Sequence, residues 1–291
     1  MRREVIDLDL KPRVGRIYST GLRDGTMYTQ ENLDKDIAIV NEVLSLVRQF
    51  IFEDELAAAN APRTVPFGLR MLAPVLMKFG TKAIHTGLNE DLATGAIIPP
   101  IYQTSTYVQK APGDHKGYEY SRTRNPTRVS LENNIAAIEN AKFGFCFGSG
   151  MAAIDTVIKL FKSGDEIVAN NDLYGGTYRI FTKIFAKYGI VFHFVDLAEP
   201  GNVKNYINDK TKMIWIETPS NPLMNITDIQ GIAAIAKENG ILLGVDNTFA
   251  SPYNQQPLTQ GADVVLHSST KYLGGHSDLI GGSLIIKNDQ K

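Results

Sequence analysis

The chain has 291 residues, 43% hydrophobic and 21% charged, with 30 basic and 31 acidic side chains. A formal net charge of -1 gives no electrostatic case for nucleic acid or an anionic membrane, and no run approaches the roughly 18 unbroken apolar residues of a spanning helix. The opening "MRREVIDLDL" has no apolar signal core, and the single Cys146 forms no intrachain disulfide, so the expectation is a soluble cytoplasmic protein. Cys146 itself reads as a small buried hydrophobe in "FGFCFGSG".

Residues 1–76 differ from the rest. Ile37, Val40, Val43, Leu44, Val47 and Phe50 fall near helical spacing within "DKDIAIVNEVLSLVRQFIFEDELAAAN". Pro-, Gly- and Arg-rich loops flank that segment, and no chemistry-bearing motif occurs in it. From about Lys142 the pattern becomes regular. "FGFCF", "DEIVAN", "IVFHFVD", "KMIWIETP", "ILLGVDNT", "ADVVLHSS" and "GSLIIK" read as strands. "MAAIDTVIKLF", "TYRIFTKIFAKYG" and "DIQGIAAIAKENG" read as helices between them. Short apolar strands alternating with helices predict a three-layer α/β/α sandwich with a mostly parallel sheet. Sites in such sheets gather at the carboxyl ends of the strands, so the residues just after each strand carry the interest.

"GSGMAA" follows the first strand and opens a helix. Its small residues and free amides make a phosphate cup at Gly150 and Met151. The same string fits the dinucleotide fingerprint through Gly148 and Gly150, with Asp172 about 20 residues on. A tight strand-to-helix turn uses glycine as well. "NDLYGGTYR" places Tyr174 beside two glycines, either a half-buried loop tyrosine or an aromatic plate over a flat ligand. "TPSNP" places Asn221 in a Pro-rich turn. Asp246 ends a fully apolar strand, where a carboxylate needs a positive partner or caps a helix. "HSSTK" supplies the hydroxyls of Ser268 and Thr270 and the amine of Lys271. Lysine is most often solvated, but a desolvated lysine becomes a nucleophile able to form an imine with a carbonyl.

Together these parts match what pyridoxal phosphate requires: an imine lysine, a carboxylate at the ring nitrogen, a phosphate cup and ring packing. A nicotinamide dinucleotide-binding oxidoreductase is the competing reading; it uses Gly148, Gly150 and Asp172 but leaves Asp246 and Lys271 idle. A non-catalytic remnant whose role is association is the third. No metal site is assigned.

The segments "TKAIHTG", "PPIYQTSTY", "YEYSRTRNPTR", "GSGMAA", "DLYGGTYR", "ETPSNP", "VDNTFASP" and "HSSTKYLGGHSD" occur in order from about Met77 onward. This set resembles the Cys/Met-metabolism, or transsulfuration, pyridoxal-phosphate enzymes, which include cystathionine γ-synthase and γ-lyase. The resemblance implies the fold-type-I, aminotransferase-like large domain over 141–291, with residues 77–140 as N-terminal arm and subunit-contact region. It implies Lys271 as imine lysine and proton shuttle, Asp246 as pyridinium partner and Tyr174 as ring-stacking residue. Asn221 would donate to the ring hydroxyl; Gly150, Met151, Ser268 and Thr270 would hold the phosphate; Thr248 would join the cofactor site. Tyr120 and Arg122 would reach the neighbouring subunit's phosphate, implying a homodimer or homotetramer with shared sites, and Tyr120 would help deprotonate the substrate amine. Gly176 stands where methionine γ-lyases of the family typically carry cysteine. Arg179 and Glu119 resemble the synthase and γ-lyase branch, in which the arginine binds a distal substrate carboxylate. The implied reaction is γ-replacement on an activated homoserine by cysteine, or γ-elimination of cystathionine. Family members run past "GGSLIIKNDQK" into a small domain that supplies the grip on the α-carboxylate, so the chain is expected to be a cofactor-domain fragment with impaired turnover. His267 and His276 receive no role beyond packing or hydrogen bonding.

Overall fold

The computed structural model describes residues 78–287 apart from Leu92. The chain divides into two units, Met1–Leu76 and Met77–Lys291, and the described residues belong to the second. The helix expected around 34–60 lies outside the described residues.

Seven strands form one sheet: β1 Phe143–Phe147, β2 Glu166–Asn170, β3 Val191–Val195, β4 Thr211–Glu217, β5 Leu242–Asp246, β6 Val264–His267 and β7 Gly282–Ile286. Their spatial order is β1-β7-β6-β5-β4-β2-β3. All neighbours pair parallel except β7, which runs antiparallel to both β1 and β6. The mostly parallel sheet expected from the sequence is therefore present, with one reversed strand inside it.

Among the described residues the α-helices are α1 Phe79–His85, α2 Pro126–Ile138, α3 Gly150–Ile158, α4 Gly175–Lys183, α5 Ile229–Glu238 and the short α6 Ser251–Asn254. Their starts follow local chemistry. The Asn125 side chain accepts from Thr127 N ahead of Pro126, Ser149 from Ala152 N, and Asp228 from Gly231 N. The helix expected to run through to Gly189 instead breaks at Ile184. A 3₁₀ turn, Phe185–Tyr188, continues it and ends at Gly189, whose φ of 80° suits glycine. Helix α2 was not expected. Its buried residues, Ile135, Ala136 and Ile138, bunch at one end rather than recurring each turn, so helical periodicity is weak.

Strand residues sort by alternation onto two faces. Ile167, Ala169, Met213, Trp215 and Leu266 pack with α3 and α4. Val168, Ile214, Ile216, Val245 and Val265 pack with α5, joined by Ile135 of α2. Burial on both faces explains why β4 reads as an unbroken apolar run. Each such Ile, Val or Phe contributes about 1.5–3 kcal/mol of transfer free energy. Because Ile135 sits in this core, α2 is part of the same packed body as the sheet. Among the described residues, no helix is long and apolar enough to cross a membrane.

Candidate active site

The parallel strands β1, β2, β4, β5 and β6 all end on one edge of the sheet, and β7 begins there. The loops expected to carry chemistry leave from that edge.

Asp246 and Glu217 are register partners at the ends of β5 and β4. Alternation puts both on the α3/α4 face: Val245 and Ile216 belong to the opposite core. Each is 5% exposed. Thr248 donates to Asp246 Oδ1 twice, from N at 3.1 Å and from Oγ1 at 2.6 Å. Its hydroxyl then accepts from Ser268 N at 2.8 Å, tying the carboxylate to the lysine-bearing turn. Tyr174 N donates to Glu217 Oε2 at 2.7 Å. The Asn170 side chain clamps the Glu217 backbone, receiving from its N at 3.1 Å and donating to its O at 2.9 Å.

Burial pushes the Asp246 carboxyl up, against the Thr248 donors and the His267 imidazole. Burial and then the neighbouring Asp246 charge push Glu217 up to about 8, against backbone donors from Tyr174 and Asn221. Two adjacent buried carboxyl groups are an unfavourable arrangement. A protonated ring nitrogen set against Asp246 would relieve it, and pyridoxal phosphate offers that group.

The other half of the cradle is steric. A Cβ added to Gly150 would lie 2.9 Å from Ser268 Cβ, and one on Gly282 would lie 2.6 Å from Gly150 N. Only glycine lets the α3 amino end, the Ser268 turn and the start of β7 approach this closely. Their free amides and hydroxyls suit a phosphate. Tyr174, 44% exposed, precedes α4. A Cβ on Gly176 would collide with its ring and lie 2.9 Å from Met151 Sδ. Glycine at 176 thus leaves room for the Tyr174 ring where it lies, and a side chain there would press on it.

Lys271 lies in the turn after β6. Its N donates to Ser268 O at 3.1 Å and its O accepts from Gly275 N at 2.8 Å. Lys271 and Thr270 border a cavity of about 620 Å³ whose walls include Phe249, Tyr272, Asp278 and Leu279. The Thr270 hydroxyl meets Gly281 N at 3.1 Å and Gly281 O at 3.3 Å, pinning this turn to the approach to β7. Asn221 sits in the turn after β4 and contributes its backbone N–H to Glu217.

Asp172 does not face a ribose. Its Oδ2 accepts from Leu223 N at 3.1 Å and Asn225 Nδ2 at 3.5 Å, and also bonds the Ser220 hydroxyl. That carboxylate organises the 220–225 turn, which removes the acidic residue required by the dinucleotide reading.

Tyr120 and Arg122 are apart from this cluster. Arg122 lies over the Tyr120 ring at 4.9 Å, and Tyr120 bridges Thr106. Among the described residues no hydrogen bond or ring contact links them to the strand-end site. Glu119 and Arg179 are both exposed, the latter on α4 after Tyr174. Two features escape a reading of the sequence. Glu217 ends an apolar strand just as Asp246 does, and that shared placement was the available signal. His267 is 1% exposed and bonds the fully buried Glu139, 128 residues away, a pairing no local pattern reveals.

The profile of the family described as Cys/Met metabolism PLP-dependent enzyme matches residues 80–291. A probable cystathionine gamma-synthase of Herpetosiphon aurantiacus is 52% identical over 212 residues, covering 73% of this chain and 66% of that protein. Cystathionine gamma-lyase of Bacillus subtilis is 55% identical over 209 residues, covering 72% and 55%. The crystal structure of metB from Corynebacterium glutamicum superposes with a TM-score of 0.73 at 48% identity, covering 75% of this chain and 57% of that one. The chain thus spans between about half and two thirds of the length of these relatives. With that profile covering most of the chain, the chain belongs to the Cys/Met-metabolism pyridoxal-phosphate-dependent enzyme family.

Proposed function

We propose that this chain carries the cofactor half of a transsulfuration enzyme. It binds pyridoxal phosphate covalently through Lys271 and acts on sulfur amino acids. The observation that carries this is the pair of strand ends: Asp246, oriented by Thr248, is joined through the same hydroxyl to the turn that bears Lys271. When bound, the cofactor supplies an electron-withdrawing ring that stabilises negative charge on the substrate carbon. Asp246 holds the ring nitrogen protonated. Tyr174 covers the ring face and Asn221 donates to the ring hydroxyl. Gly150, Met151, Ser268 and Thr270 receive the phosphate. Lys271 would hold the cofactor, and its amine, when free, would carry protons to and from the substrate carbons.

The reaction is γ-replacement on an activated homoserine with cysteine, or γ-elimination of cystathionine, with Arg179 and Glu119 facing the distal end of the substrate. The names of the relatives support this class, since they include a γ-synthase and a γ-lyase as well as a cystathionine beta-lyase of Lactococcus lactis at 52% identity. The partner is a second copy of the chain, in a homodimer or homotetramer, which lends Tyr120 and Arg122 to the neighbouring phosphate; an Arg fork suits that anion. Tyr120 then stands near the substrate amine as a base. The compartment is the cytoplasm.

Adding the cofactor to the purified chain should produce a visible absorbance band that is absent in Lys271→Ala. With cystathionine as substrate, γ-elimination yields cysteine and 2-oxobutyrate, whereas β-elimination would yield homocysteine and pyruvate. Pyruvate would overturn the γ assignment. A missing band in the unaltered chain would overturn the cofactor assignment.

A further inference from the structure

Behind the sheet, on the face opposite the carboxylate cluster, lies a second polar group. His267 Nε2 and Glu139 Oε1 are 2.5 Å apart, at 1% and 0% side-chain exposure. His267 follows Leu266, whose side chain belongs to the α3/α4 core, so alternation turns the imidazole toward α2. Asn247, the residue after Asp246, donates Nδ2 to the same Glu139 Oε1 at 3.1 Å. It also donates to Gln255 O at 2.9 Å, and its Oδ1 accepts from Gln255 Nε2 at 2.9 Å. Gln255 Nε2 reaches on to Thr218 O at 2.9 Å. The network therefore laces together the residues just past β4 and β5, the last residue of β6 and the end of α2.

Its composition is costly for a merely structural tie. Glu139 is fully buried, and its Oε2 and His267 Nδ1 have no hydrogen-bond partner. An apolar pair of similar volume would fill the space without that penalty. Asn247 and His267 directly follow Asp246 and its register partner Leu266, so the Glu139 contacts brace the ends of both strands.

We propose that the Glu139–His267 pair is a positioning element for the cofactor ring: from the far face of the sheet it holds Asp246 as a carboxylate against the ring nitrogen. The electrostatics agree in sign, since burial raises Asp246 and His267 acts to lower it. The titratable groups around Asp246 are Glu217 on β4, which opposes its ionisation, and His267 with Glu139 behind it.

This inference rests on the cofactor reading above. The test uses the full chain reconstituted with 15N-labelled pyridoxal phosphate, comparing the unaltered protein with Glu139→Gln and His267→Gln. Three quantities are read: the ring-nitrogen 15N shift, the cofactor dissociation constant and the melting temperature of the apo chain. In both variants the 15N signal should move toward that of an unprotonated pyridine. Cofactor affinity should fall roughly tenfold, as it would if the Asp246 ionisation equilibrium changed by the same factor. A lowered melting temperature with an unmoved 15N signal would make the pair purely structural and overturn the proposal. So would loss of the fold in both variants. If the unaltered chain binds no cofactor, the underlying reading fails with it. If it binds and neither variant moves the signal, only the positioning role fails.

Discussion

The strand-end cluster and the arm before α2 are built on opposite terms. At the strand ends, Asp246, Glu217, Thr248, Ser268 and Tyr174 are joined by hydrogen bonds and backed by core. In the arm, Ile97 is 78% exposed, Ile101 84% and Val108 92%, and Tyr120 with Arg122 packs only locally. The first region is fixed by the sheet and can prepare half of a site within one chain. The second presents exposed apolar and cationic side chains to solvent. The proposed sharing of Tyr120 and Arg122 between two copies of the chain would join the two regions into one site.

Subunit mixing is the sharpest way to break that comparison. Lys271→Ala cannot attach the cofactor, and Arg122→Ala should attach it weakly. A mixed dimer should regain the absorbance band at the site that combines the lysine of one chain with the arginine of the other. No recovery above the separate variants would place Arg122 outside the site.

Core substitutions should separate the two regions next. Phe181 is 0% exposed, stacked on Phe192 at 4.5 Å and edge-on to Trp215. Phe181→Ala should cost about 3–5 kcal/mol in denaturant unfolding. Val108→Ala, in the arm, should stay within about 0.5 kcal/mol in the dissociated chain. Equal losses would mean that the arm is packed as tightly as the sheet.

A separate effect is in pH. Glu217 holds its proton up to about 8, against 4.5 for an ordinary glutamate. The folded state therefore binds this proton more tightly than the unfolded state. The stabilisation is complete below about 4.5 and is lost as pH rises toward 8. Glu217→Gln should flatten this part of the apo chain's stability curve; an unchanged slope would assign the effect to another group.

Much of this was legible in the sequence because local signals and burial coincide. Strands β2, β4 and β5 are apolar runs covered on both faces, and β4 and β5 each end in a buried carboxyl group. What escaped depends on register or distance. Glu217 gains its meaning from lying opposite Asp246 on the neighbouring strand. The Glu139–His267 pair joins α2 to β6. Helix α2 hid because its apolar residues gather at one end. Asp172, spaced as a ribose ligand should be, instead braces a turn.

The most direct test is chemical trapping. The unaltered chain should be incubated with pyridoxal phosphate, reduced with borohydride, digested and mapped by mass spectrometry. The account predicts one phosphopyridoxyl label, on Lys271. A label spread over several surface lysines, or confined to a different one, would contradict it.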